Sequence, residues 1–131
     1  MNAYPVEDWL KKAEDSYISA LDLAERRRNS VPDVVCNQCQ QCAEKYVKAL
    51  LARHQIEFPK THDLRELEDL LIGVEPDVRL IDDYLHALNP YGIDIRYPGF
   101  HATMAETKEA IKAMKAVRRF ARAKLGLGSK R

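Results

Sequence analysis

Glycine is scarce in this chain, and so is the strict alternation of apolar and polar residues that marks half-buried strands. Only five glycines occur in 131 residues, and two of them, Gly126 and Gly128, fall in the last six positions. Long hydrophobic runs are missing as well. No stretch approaches the roughly 18 apolar residues of a membrane span. The start, Met1 to Trp9, lacks a basic segment leading into an apolar one, so no secretory signal is expected. Cysteine is sparse and odd in number, at three. That fits a reducing compartment better than a disulfide framework. The expected setting is therefore soluble and cytoplasmic. A surplus of one charge is absent too: 21 basic against 20 acidic residues gives +1. Such balance argues against a general nucleic-acid coat protein.

What the chain does have is helical spacing. The hydrophobic content of 46% can fill one core. Trp9, Ala13, Tyr17, Ala20, Leu21 and Ala24 recur at three- and four-residue steps and predict a first helix from about Val6 to Arg28. Asn29-Ser30-Val31-Pro32 breaks it. A second helix is expected from Pro32 to about His54, with Val35, Cys36, Cys39, Cys42, Ala43, Tyr46, Val47 and Leu50 on its apolar face. Glu44 and Lys48 read as a surface pair worth about 0.2–0.5 kcal/mol. Thr61-His62-Asp63-Leu64 reads as a helix start, with Asp63 as cap and Glu66 completing a capping box. A short helix from about Asp77 to Leu88 ends at Asn89-Pro90-Tyr91-Gly92. The last runs from about Thr103 to Leu125, and Gly126-Leu127-Gly128 stops it. The pattern predicts an all-α, antiparallel up-and-down bundle of four to five helices. Residues 1–125 form one domain and 126–131 a short flexible basic tail.

Two features invite a metal or phosphate reading. Cys36, Cys39 and Cys42 spell C-x-x-C-x-x-C. On a helix these sulfurs spread over an arc of about 120° and about 9 Å of axis, too far apart to converge on one ion. They also coincide with the apolar face, so core packing is expected and no metal is called for. From Ala110 onward the basic residues are Lys112, Lys115, Arg118, Arg119, Arg122, Lys124, Lys130 and Arg131, with no acidic residue among them. Arg26, Arg27 and Arg28 form a second cluster. Either could hold phosphates, or could simply be the cations a helix C-terminus favours.

One segment cannot be regular helix: Asp94-Ile95-Arg96-Tyr97-Pro98-Gly99-Phe100-His101. Pro98 restricts Tyr97 to extended conformations, and Gly99 permits a turn. Arg96 and His101 together suit cleavage of RNA, which carries its own nucleophile in the 2′-hydroxyl. Imidazole can accept that proton, and imidazolium can protonate the leaving 5′-oxygen. The guanidinium fork matches phosphate oxygens and keeps its charge. Neither a metal nor a cofactor is needed for this chemistry. The other reading of the segment is a surface loop whose charges are merely solvated.

Three blocks carry a family resemblance. They are Trp9-Leu10-Lys11-Lys12-Ala13-Glu14-Asp15; Gln40-Gln41-Cys42-Ala43-Glu44-Lys45-Tyr46-Val47-Lys48-Ala49-Leu50-Leu51, continuing into Pro59-Lys60-Thr61-His62-Asp63-Leu64; and Ile95-Arg96-Tyr97-Pro98 followed by His101. Over roughly residues 6–123 the chain resembles the HEPN domain (higher eukaryotes and prokaryotes nucleotide-binding). The resemblance implies an all-α bundle, usually a homodimer. Many members are metal-independent ribonucleases, often toxins paired with a minimal nucleotidyltransferase antitoxin. Their motif is an Arg, four to six residues, then a His, which Arg96 and His101 match as the catalytic pair. It further implies substrate-binding roles for Tyr97, Asp94, Glu44 and Lys45. Two positions depart from the pattern. Tyr97 stands where active members often carry a small polar residue. Thr103 stands where nucleotide-silenced toxins carry a tyrosine, and is expected to cap the last helix instead. Tyr97 could stack on a base or pack on the bundle, Asp94 could orient Arg96 or shape a turn, and Glu44–Lys45 could be a solvated pair. His62 is expected to belong to the helix start. The alternative to a ribonuclease is a non-catalytic, nucleotide-binding or scaffolding subunit of a nucleotidyltransferase complex. A helical interaction module is the third reading.

Overall fold

The apolar positions of the second helix are so numerous that one neighbour cannot cover them, and the structure surrounds that helix. The computed structural model describes residues 4–128, with the side chain of Arg96 outside that description. The expected basic end of the tail, Lys130 and Arg131, also lies outside the described residues. Regular structure among the described residues is helical throughout: α1 (Val6–Ala24), α2 (Pro32–Arg53), α3 (Leu64–Leu71), α4 (Asp82–Leu88) and α5 (Met104–Lys124). Short 3₁₀ segments occupy Pro76–Ile81, Asn89–Gly92 and Asp94–Arg96. No helix among the described residues is long and apolar enough to cross a membrane.

Helix α2 packs against α1, α3, α4 and α5. It buries Val35, Cys36, Cys39, Cys42, Ala43, Tyr46, Val47, Leu50 and Leu51. The three cysteines are free and buried, as their place on the apolar face predicts. Helix α1 lies antiparallel on α2, with Trp9 beside Lys48 and Phe58 and Glu14 beside Tyr46. Helix α5 runs alongside α2 in the same direction, since Cys36 meets Thr107 at one end and Tyr46 meets Arg122 further along. The return through α3 and α4 makes that parallel pairing possible.

Several boundaries differ from the sequence expectation. Helix α1 stops at Ala24, leaving Arg26–Arg28 in the turn, where Asn29 takes a positive φ of 52°. The segment expected as helix from Asp77 begins as a 3₁₀ turn at Pro76. Its buried residues, Val78 and Ile81, are three apart, the period a 3₁₀ turn presents on one face. Asp63 does cap α3, accepting from the Arg65 N–H at 2.9 Å. The reciprocal half of the expected box is not made there, because the Asp63 N–H donates to the Thr61 hydroxyl. The box forms at α5 instead: Thr103 Oγ1 accepts from the Glu106 N–H, and Glu106 Oε1 accepts from the Thr103 N–H. Arg118, one of the basic residues counted above from Ala110 onward, is buried. It forks onto Glu14 at 2.8 and 3.0 Å and lies 4.1 Å over the Tyr17 ring, joining α5 to α1.

Two helices end in the same device. Leu127 N–H donates to Arg122 O and Gly126 N–H to Ala123 O, with Gly126 at φ 77°. At the end of α2 the equivalent bonds run from Ile56 to Leu51 and from Gln55 to Ala52. Here the left-handed position, φ 58°, is held by Gln55, whose Cβ is disfavoured in that conformation. Gln55→Gly should therefore stabilise the protein by about 0.5–1 kcal/mol. A rise in the urea midpoint with unchanged slope would show this; a fall would mean the Gln55 side chain contributes contacts that outweigh the strain.

Candidate functional site

The centre of the site is a carboxylate with no access to water. Glu44 lies mid-way along α2 and is 0% exposed. An isolated buried charge is prohibitively unfavourable, so it must be paired. Lys45 and Lys48 each reach Glu44 Oε2 at 2.9 Å. Gln40 donates to Oε1 at 3.2 Å, and His62 Nδ1 lies 3.0 Å from the same oxygen. Burial pushes this carboxyl up, but the Lys45 charge, together with the hydrogen bond and charge of Lys48, outweighs burial and holds it at about 2. Glu44 is thus an anion at neutral pH, so the His62 Nδ1 beside it is the donor in that contact, and in the neutral tautomer that follows the lone pair is on Nε2. This corrects two expectations. Glu44–Lys48 is an interior pair, since α2 is enclosed on its polar side as well. Glu44 is fully buried, so it offers a substrate no surface to touch, and among its contacts is the His62 ring.

Gln40 carries the arrangement toward the motif loop. Its amide also donates to the His62 carbonyl at 3.1 Å, and its oxygen accepts from Gln41 at 2.7 Å. A Cβ at position 92 would come within 2.9 Å of the Gln40 amide nitrogen. Glycine there lets the backbone leading to Asp94 lie directly on α2. Just before it, Asn37 donates to the Tyr91 carbonyl at 2.8 Å. At the far end of the loop the Ala102 N–H donates to Asp33 Oδ1 at 2.7 Å. The loop is therefore tied to α2 at both ends, with internal turns from Tyr97 N–H to Asp94 O and from Phe100 N–H to Tyr97 O. Ile95 and Phe100 face the core cluster.

The sequence-derived site residues divide into three places. Tyr97 is 64% exposed and His101 is also exposed, both on this loop. Tyr97 does not pack into the bundle. The backbone of Arg96 closes the Asp94–Arg96 turn, while its side chain lies outside the described residues. Asp94 opens onto a groove of about 470 Å³ shared with His62, Asp63, Arg65, His86 and Asn89. Lys45 lines a different groove, between α1 and α2, with Trp9, Lys12 and Gln41. His62, read from sequence as part of a helix start, is the functional candidate that sequence reasoning undervalued. The available signal was its place in the Thr61-His62-Asp63-Leu64 block.

Sequence reasoning also missed a cluster on α3 and α4. Glu68, Asp82 and His86 place one potential metal-ligand atom each within 4.8 Å of the others. His86 Nε2 is 3.4 Å from Asp82 and 3.9 Å from Glu68. Burial, followed by the hydrogen bond and charge of Asp82, pushes the Glu68 carboxyl up to about 7. The Asp82–His86 spacing of four was the available signal. Thr103 is occupied as the α5 cap, as its position before the helix predicts.

The pairing of Glu44 makes stability depend on acid. Its folded-state value lies below the model-peptide range, so its contribution is complete above about pH 4.5 and declines as pH falls toward 2. The contribution is on the order of 3 kcal/mol. Glu44→Gln should lower stability at pH 7 by about 3 kcal/mol, since two lysines lose their counter-charge. The gap between wild type and variant in urea titrations should narrow as pH falls below 4; a constant gap would show that the loss is one of packing.

The described arrangement can be set beside known proteins. The family model described as the HEPN domain matches residues 6–124. The crystal structure of an archaeal HEPN homologue superposes with a TM-score of 0.72 at 25% sequence identity, covering 94% of this chain and 99% of that one. A search of curated proteins gave no match. With the family's model spanning nearly all of the helical bundle, the chain belongs to the HEPN domain family.

Proposed function

We propose that this protein is a metal-independent endoribonuclease of HEPN type. The observation that carries the reading is the placement of the Arg96–His101 segment. It is exposed between α4 and α5 yet anchored to α2 through the Asn37 bond to the Tyr91 carbonyl at one end and the Asp33 bond to the Ala102 N–H at the other. An anchored backbone with an outward imidazole suits chemistry on a polymer that must enter from solvent. The 2′-hydroxyl oxygen attacks phosphorus and its proton passes to His101; the P–O5′ bond breaks, and the leaving oxygen takes a proton from imidazolium. Arg96 balances the charge that builds on the phosphoryl oxygens. The products are a 2′,3′-cyclic phosphate and a 5′-hydroxyl. A homodimer bringing two such loops to one cleft, with a nucleotidyltransferase antitoxin as regulator of a toxin, completes the proposal. The capping of α5 by the Thr103 hydroxyl favours a structural role there over that of acceptor for nucleotide transfer.

Purified protein, His101→Ala and Arg96→Ala are incubated with RNA in EDTA. His101→Ala should lose about 10²–10⁴ in rate, and Arg96→Ala about 10² or more, with circular dichroism unchanged. Equal cleavage by all three would identify a contaminating nuclease and remove the reading. Sedimentation in the same buffer should give twice the chain mass of 15.0 kDa.

A further inference from the structure

The two ends of the motif loop are too far apart to serve one phosphate. Gly92 rests on Gln40 and Ala102 on Asp33, seven residues apart on α2, which is about 10 Å of helix axis. The His101 end and the His62 end therefore address neighbouring positions along a bound strand. The groove at the His62 end has about 470 Å³, within the range of small-ligand sites. We propose that this groove is a nucleobase subsite for the nucleotide adjoining the scissile phosphate, and that it prefers guanine; the proposal rests on the ribonuclease reading.

The lining is mixed in charge. Arg65 and His86 oppose Asp63 and Asp94, so the groove suits an uncharged, hydrogen-bonding base better than a phosphate or a cation. Its walls are set before any ligand arrives. Asn89 donates to Asp63 Oδ1 at 3.0 Å and accepts from the Leu64 N–H at 2.8 Å. His62 is held through Nδ1 by the buried Glu44, yet its side chain is 48% exposed. In the tautomer that donates to Glu44 from Nδ1, His62 offers its Nε2 lone pair to the groove it lines. Asp94 brings a carboxylate to the lining of the same groove. Two acceptors facing one space call for adjacent donors. The Watson–Crick edge of guanine carries them, at N1–H and N2–H₂, whereas adenine and cytosine have one donor group on that edge and uracil a single N–H. Single-stranded RNA presents that edge unpaired.

The test is NMR titration of the full chain, ¹⁵N-labelled at histidine, with guanosine, adenosine, cytidine and uridine 5′-monophosphates, alongside cleavage of a randomised RNA. Guanosine monophosphate should shift the His62 ring resonances and bind about tenfold or more tightly than the others. His62→Gln and Asp94→Asn should each cut that preference about tenfold. His62 resonances unmoved by guanosine monophosphate, or equal binding of all four, would overturn the subsite. RNA cleavage without a guanosine beside the cut, together with a silent His62, would overturn the subsite while leaving the ribonuclease standing. A guanosine-specific shift at His62 without cleavage by the wild type would instead remove the ribonuclease reading and retain a guanosine-binding groove.

Discussion

The arrangement around the motif depends on one buried anion. Glu44 draws Lys45, Lys48, Gln40 and His62 to a single point on α2. Each partner belongs to a different task. Lys48 also sits over Trp9 and Phe58, and so ties the charge to the packing of α1 and the α2–α3 connector. Gln40 is held against both the His62 carbonyl and the Gly92 backbone. His62 carries the charge's influence to the surface. Removing a partner from such a network leaves a buried charge uncompensated, which is why breaking a buried pair is far more damaging than losing a surface one. The same low-dielectric setting fixes geometry, because alternatives to a fully paired arrangement are so much higher in free energy.

A second ionic joint lies on the opposite side of α2. Glu14 accepts both arms of the Arg118 fork and also the Tyr46 hydroxyl. For Glu14, burial raises the carboxyl, but the hydrogen bonds from Arg118 and Tyr46 prevail and the net direction is downward. This joint couples α1, α2 and α5, the three long helices. Glu44 couples α2 to the short elements that lead into α3 and the motif loop. The long-helix frame and the functional loops are thus fastened to α2 by separate carboxylates on different faces. Disturbing the loops leaves the frame's own ion pair in place.

The sequence was most legible where burial is apolar. Ala13, Tyr17 and Ala20 on α1, the cysteine face of α2, and Met114, Val117 and Ala121 on α5 all lie inside as their spacing indicates. Caps were legible too, since Thr103 and Gly126 act through their own side chain or backbone freedom. Buried polar residues were not. Periodicity assigns a charged residue to the outside, so Glu44 and Lys48 read as a surface pair, and Arg118 read only as one member of a basic cluster. Only the tertiary fold supplies the second wall that encloses them. The pairing of His62 with Glu44, and of Glu68 with Asp82 and His86, joins different helices or connectors. No local pattern encodes such contacts. The resemblance of the Glu-Lys helix and the Arg-Tyr-Pro segment to a family carried what local physics could not, and the match over residues 6–124 bears out that part.

The contrast between Glu44 and the motif loop explains how one short segment can combine order with access. An imidazole acting as proposed for His101 needs a fixed backbone but an open face. The Asp94–His101 stretch has little apolar side chain with which to anchor itself: Ile95 and Phe100 point inward, while Tyr97, Pro98, Gly99 and His101 lie outside. Its position is therefore set by polar contacts to α2 at its ends, Asn37 on the Tyr91 carbonyl and Asp33 on the Ala102 N–H, with Gly92 lying close on Gln40. Such contacts hold the backbone without covering the exposed side chains. Because Gln40 is itself held by Glu44, the same buried charge that directs His62 into the groove also fixes where the loop begins. A strand lying along α2 would then meet His62 and the loop in a constant register.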